Sequence, residues 1–132
     1  MNDTDTLVSP IPNAEGREVG GVRIDVVKAG AGRVKRMIYP PGFKWSTHMK
    51  GIVGTELCMH AHVGFLAQGQ IHIRYPDGCV RDFAAPQVVA VEPGHDGWVV
   101  GPKPAVVIEF DFEGETASRL GMPTRHTHAS DR

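Results

Sequence analysis

Short runs in which apolar and polar residues alternate, each closed by a glycine or proline turn, recur from residue 22 to residue 112, and they restrict the chain to an all-β architecture. In "VRIDVV" (22–27) Val22, Ile24 and Val26 alternate with Arg23 and Asp25, the period-2 signature of a strand with one buried face. "RVKRMIY" (33–39) follows after "GAG", and "FKWSTHM" (43–49) alternates again, with Phe43, Trp45, Thr47 and Met49 on one face and Lys44, Ser46 and His48 on the other. Further strands are expected at 55–59, 62–67, 70–75, 79–83, 87–91, 97–101 and 105–112, separated by turns such as "YPDGC" (75–79), "EPG" (92–94) and "GPKP" (101–104). Sixteen glycines and ten prolines supply these turns and leave no long helical periodicity. Short strands at such regular spacing imply a sandwich or barrel with little helix.

A chain of 132 residues has the size of one domain. Its 14 Lys and Arg against 15 Asp and Glu are scattered, so neither a nucleic-acid surface nor an acidic-membrane surface is written into it. The expected partners are a small-molecule ligand and other subunits. No apolar run approaches the roughly 20 residues that span a bilayer, and "MNDTDTLVSPIPNAEG" lacks the features of a secretion signal, so a cytoplasmic location is expected. In such a reducing compartment the sparse pair Cys58 and Cys79 reads as free thiols or metal ligands before it reads as a disulfide.

Residues 1–18 are expected to be an arm that is ordered only where something holds it, 19–113 the barrel and 114–132 a polar tail. In the last strand, "AVVIEFDF", the dry face is expected to carry Val106, Ile108, Phe110 and Phe112, with Glu109 and Asp111 opposite. His126 and His128 form a His-x-His pair in the tail and are given no site role.

Another such pair, His60 and His62, lies in "CMHAHVGFLAQG", and "VEPGHDGWVVG" follows at 91–101. In these two stretches the chain resembles the cupin superfamily, double-stranded β-helix (jelly-roll) barrels whose motifs run G-x5-H-x-H-x3,4-E-x6-G and G-x5-P-x-G-x2-H-x3-N. It is similar in particular to small bacterial single-domain cupins of the conserved-barrel type. Gly69, preceded by "FLAQ", matches the glycine that closes the first motif. Counting back seven positions reaches His62 where the family has its glutamate, and four and six further reach Cys58 and Glu56 where it has two histidines. Taking His60 and His62 as the family's pair would instead require an acid near Leu66 and a glycine near Ile73. On this register His60 sits at a hairpin tip facing solvent and His62 faces inward.

Gly94 matches the turn of the second motif, whose histidine falls on Gly97; His95 lies two residues earlier, which preserves strand parity. The resemblance thus implies a divalent metal ion, zinc or iron, held by Glu56, Cys58, His62 and His95, with His48 in reserve near the barrel mouth. A carboxylate, a thiolate and imidazoles suit such an ion. The resemblance also implies a homodimer. Two functions are compatible with this set: a metal-dependent enzyme acting on a small organic metabolite, and a non-catalytic binding or sensing module.

Overall fold

The computed structural model describes residues 5–126 and folds the alternating runs into two antiparallel sheets. The larger has six strands in the order β1 (Glu15–Val19), β2 (Val22–Ala29), β3 (Gly32–Tyr39), β9 (Ala105–Asp111), β4 (His62–Gln68) and β7 (Gln87–Val91). The smaller has β6 (Val80–Ala84), β5 (Gln70–Arg74) and β8 (Asp96–Val100). This is an all-β jelly-roll barrel of the cupin type. Among the described residues no helix is long and apolar enough to cross a membrane.

Gly69 carries the chain from β4 in one sheet to β5 in the other. Its φ is +87°, and a Cβ there would lie 2.7 Å from the Pro104 carbonyl oxygen and 2.8 Å from the Ala105 Cα, so only glycine fits. The apolar faces meet between the sheets, where Val22, Ile24, Met37 and Leu66 from the larger sheet join Ile73 and Val99 from the smaller in one buried cluster.

Three sequence expectations change. Residues 43–49 do not form a strand: two short helical segments, α1 (Trp45–His48) and α2 (Lys50–Val53), replace it. Trp45 and Met49, which share a face at period 2, also share one at i, i+4, and both are buried as a helical pair. Residues 55–59 contribute a single isolated bridge at Cys58 instead of a strand. In β9 Val106 is buried as expected, but beyond it the inward face is the opposite of the one expected: Ala105, Val107, Glu109 and Asp111 are buried, whereas Phe110 is 55% exposed. The pairing partners decide this, because Ile108 and Phe110 lie opposite Phe65 and Val34 on the outer face.

The N-terminal segment is held by one buried ion pair. Arg36 donates from Nη2 to Asp25 Oδ2 at 2.9 Å and from Nη1 to the carbonyls of Leu7 and Ser9 at 3.1 and 2.6 Å. Beyond that clamp, β1 joins the sheet beside β2 of its own chain.

Candidate metal centre

Cys58 and His95 face each other across the isolated antiparallel bridge. The Cys58 N–H donates to the His95 carbonyl at 2.8 Å, and the N–H groups of Gly94 and His95 donate back to the Cys58 carbonyl at 2.7 and 3.2 Å. Directly opposed residues project to the same side, so the backbone sets a thiol beside an imidazole. The chain then turns and enters β4 at His62, whose ring returns to the same point. Cys58 Sγ lies 3.5 Å from His62 Nε2, and the rings of His62 and His95 are 5.1 Å apart between centroids.

Each imidazole is oriented by its other nitrogen. His62 Nδ1 lies 3.1 and 3.0 Å from the two carboxylate oxygens of Glu109, and His95 Nδ1 lies 2.8 Å from the Glu92 carbonyl oxygen. These oxygens accept, so Nδ1 carries the hydrogen on both rings and Nε2 is left for a ligand. Gly64, one alternation along β4, allows the approach: a Cβ there would stand 1.9 Å from the Ile108 carbonyl oxygen.

The charges support one another. Burial alone would push the Cys58 thiol up, but hydrogen bonding and charge from His62 and His95 bring it well below its ordinary value. Burial would lower His62, yet the Glu109 carboxylate and the Cys58 sulfur raise it to about 10. Glu109 is held below the usual range against its own burial by His62, with Lys35 contributing. His62 thus stands between Cys58 and Glu109, and its charged form is favoured from both sides.

Cys58, His62 and His95 offer sulfur and two nitrogens that all lie within 4.8 Å of one another. Bonds of about 2.3 Å to sulfur and about 2.0 Å to nitrogen at a tetrahedral angle put the donors about 3.5 Å apart. The Cys58–His62 separation has that value. In donor type, one sulfur and two imidazole nitrogens within 4.8 Å of one another, the set suits zinc or iron. Cys58, His62 and Glu109 alone would equally describe an activated thiol nucleophile. The second oriented imidazole, His95, adds a third donor that an ion could use and that a thiol nucleophile does not require.

Two of the expected ligands stand elsewhere. The Glu56 side chain is 85% exposed and paired with Lys50 Nζ at 2.7 Å, because the strand that would have turned it inward does not form. His48 lies at the exposed end of α1, with Nδ1 3.1 Å from both the N–H and the carbonyl of Lys44 and its ring stacked on Phe43. His60 is exposed and lines the rim of the cavity described next. Glu109 was missed because it sits on the face of β9 expected to be wet; its signal was a carboxylate inside an otherwise apolar strand, which needs a buried partner.

The cluster opens into a cavity of about 430 Å³. Val19, Ile24, Met37, Phe43, Trp45, Ile73 and Val107 line it, with Arg17 and Lys35 as the cationic side chains on the six-stranded sheet beside Arg33. His60→Ala is expected to change stability by only a few tenths of a kcal/mol, as exposed substitutions do, measured by denaturant unfolding.

No protein-family model matches the chain, and no curated protein matches it. Among solved structures it is similar to a Cupin 2 conserved barrel domain protein from Salinispora arenicola CNS-205, with 17% identity, a TM-score of 0.53, and coverage of 86% of this chain and 94% of that one. At that identity the likeness carries the barrel fold alone.

Proposed function

We propose that this small cupin barrel is a metal-dependent enzyme acting on a small organic acid, with Cys58, His62 and His95 holding zinc or iron(II) at the wall of the cavity. The observation that carries the reading is the convergence of three donors whose imidazoles are each fixed through Nδ1. A bound divalent ion supplies Lewis-acid polarisation of a carbonyl or water. The apolar walls exclude bulk water, and Arg17 favours a carboxylate on the ligand, whereas Lys35 is already paired with Asp111 at 3.6 Å. Elemental analysis of the full chain purified without an affinity tag tests this: the parent is expected to retain an equivalent of metal that Cys58→Ala loses. The same content in both proteins would overturn it.

A second reading, a non-catalytic module that binds or senses the same class of ligand, is favoured by the predominance of apolar side chains in the cavity lining. Small carboxylic acids would then raise the melting temperature of metal-free and metal-loaded protein equally, and would be recovered unchanged. An enzyme consumes its acid only when loaded.

Metal uptake is expected to release about one proton per ion at pH 7, because an ion between Cys58 Sγ and His62 Nε2 displaces the proton of their hydrogen bond. Affinity should therefore rise with pH up to about 10 and level off there. Calorimetry in buffers of different ionisation enthalpy measures the proton count.

The proposal includes a homodimer through the outer face of the six-stranded sheet. Phe65 lies opposite both Ile108 and Val88, and Phe110 lies opposite Val34, which makes a continuous apolar surface with Phe65, Val88 and Phe110 exposed. Phe110→Lys is expected to sediment as a monomer where the parent sediments as a dimer.

A further inference from the structure

The tail histidine His126 has a place in the fold that its sequence context did not suggest. Its ring stacks on Tyr75 at 3.9 Å between centroids with an interplanar angle of 13°, and its side chain is 7% exposed. It lies beside the turn joining β5 to β6, which is closed by the Tyr75 N–H donating to the Cys79 carbonyl at 2.9 Å and the Gly78 N–H donating to the Tyr75 carbonyl at 3.0 Å. In that turn Asp77 Oδ1 accepts the Cys79 N–H at 2.8 Å, which fixes the carboxylate and directs Oδ2 elsewhere. Oδ2 is 4.0 Å from His126 Nε2.

We propose that Asp77, Cys79 and His126 form a second, structural site for a divalent ion of zinc-like softness, which staples the C-terminal segment to the turn between β5 and β6. One donor atom from each of the three residues falls within 4.8 Å of the others. Cys79 is a free, half-buried thiol. The arrangement repeats the chemistry of the first centre: a sulfur, and an imidazole whose Nδ1 is turned to a carboxylate, here Glu92 Oε2 at 3.5 Å, so that Nε2 is directed at the other donors. Glu92 is itself fixed, because Tyr75 Oη donates to its Oε1 at 2.7 Å. Contacts of the His126 ring with the two carboxylates would account for His126, Asp77 and Glu92 but give no reason for the thiol beside them. Carboxylate, thiolate and imidazole together are a ligand set for zinc, with a fourth position left to water. Tyr75 also stands edge-on to His95, at 6.4 Å and 76°, so the stapled segment backs the wall of the first centre.

The test uses the full, untagged, reduced chain stripped of metal and titrated with cobalt(II), whose charge-transfer absorption reports a bound thiolate. In the Cys58→Ala background, which silences the sulfur of the first centre, one equivalent with a thiolate band is expected, and adding Cys79→Ala abolishes that band. His126→Ala in the same background weakens cobalt binding by about 10- to 100-fold or more, whereas His128→Ala leaves it unchanged. Circular dichroism in chelator verifies that each variant is folded. The absence of a thiolate band in Cys58→Ala, or a band and affinity indifferent to His126→Ala, overturns the second site. Cys79→Ala alone reports only the first centre, so the failure of either site is read separately.

Discussion

His62→Ala protein is expected to bind no metal at the first centre and to unfold at markedly lower denaturant than the parent even in chelator. Two effects add. The ring supplies one of the three donors, and it is also the hydrogen-bonding partner of Glu109, a carboxylate only 2% exposed. Removing one partner of a buried charge pair costs about 3–5 kcal/mol, because the other charge is left behind in a medium that solvates it poorly. Cys58→Ala separates the effects: it removes a donor without stranding Glu109, so it should lose the metal while keeping most of the metal-free stability. His62→Ala/Glu109→Gln should recover part of the stability and none of the binding. If His62→Ala were as mild as His60→Ala in both assays, the inward orientation of His62 and the centre built on it would be wrong.

Arg36→Met should lower stability by about 3 kcal/mol, toward the small end of the range for a broken buried pair. Arg36 and Asp25 are 3% and 2% exposed, and Asp25 keeps its carboxyl below the usual range, against its burial, through Arg23 and Arg36. Arg23 remains in the variant, holding Asp25 from the exposed side at 3.2 Å, which is why the loss is not larger. The change also removes the donors that hold the carbonyls of Leu7 and Ser9. Amide exchange near residues 7–9 should therefore rise more than exchange in β4 or β9. Equal protection in the two proteins would mean that the N-terminal segment is held by something other than Arg36.

Much of the fold is local information. Alternation over 22–27 and 33–39, the glycine and proline turns, and the position of Gly69 are enough for an all-β barrel, because a strand with one dry face must be covered by another. The same glycine directed attention to Cys58 and His62 instead of the adjacent His60–His62 pair, and strand parity directed it to His95. Glu56 failed for a local reason: the register assumed extended backbone through 55–59, and there the chain makes only the Cys58 bridge. Residues 43–49 were ambiguous for the same kind of reason, since Trp45 and Met49 coincide on one face at either period.

What the sequence determined by itself was therefore most of the strands, the turns that join them and the inward step of His62, but not the helical turns at 45–53 or strand β1 at Glu15–Val19. Only the tertiary structure decided which face of β9 is interior, and with it Glu109, which lies 47 residues from the histidine it orients. Period-2 alternation says that a strand has two faces; it does not say which of them meets a partner. Ile108 and Phe110 had the composition of a core face and became a surface because Phe65 and Val34 lie opposite them, while Glu109 could be buried because His62 and Lys35 stand where its charge is answered. His126 belongs to the same class: nothing within a polar tail announces that it will stack on a tyrosine 51 positions earlier in the sequence. Long-range pairing chooses among faces that local pattern leaves equivalent, and in this chain both candidate metal centres are assembled by that choice.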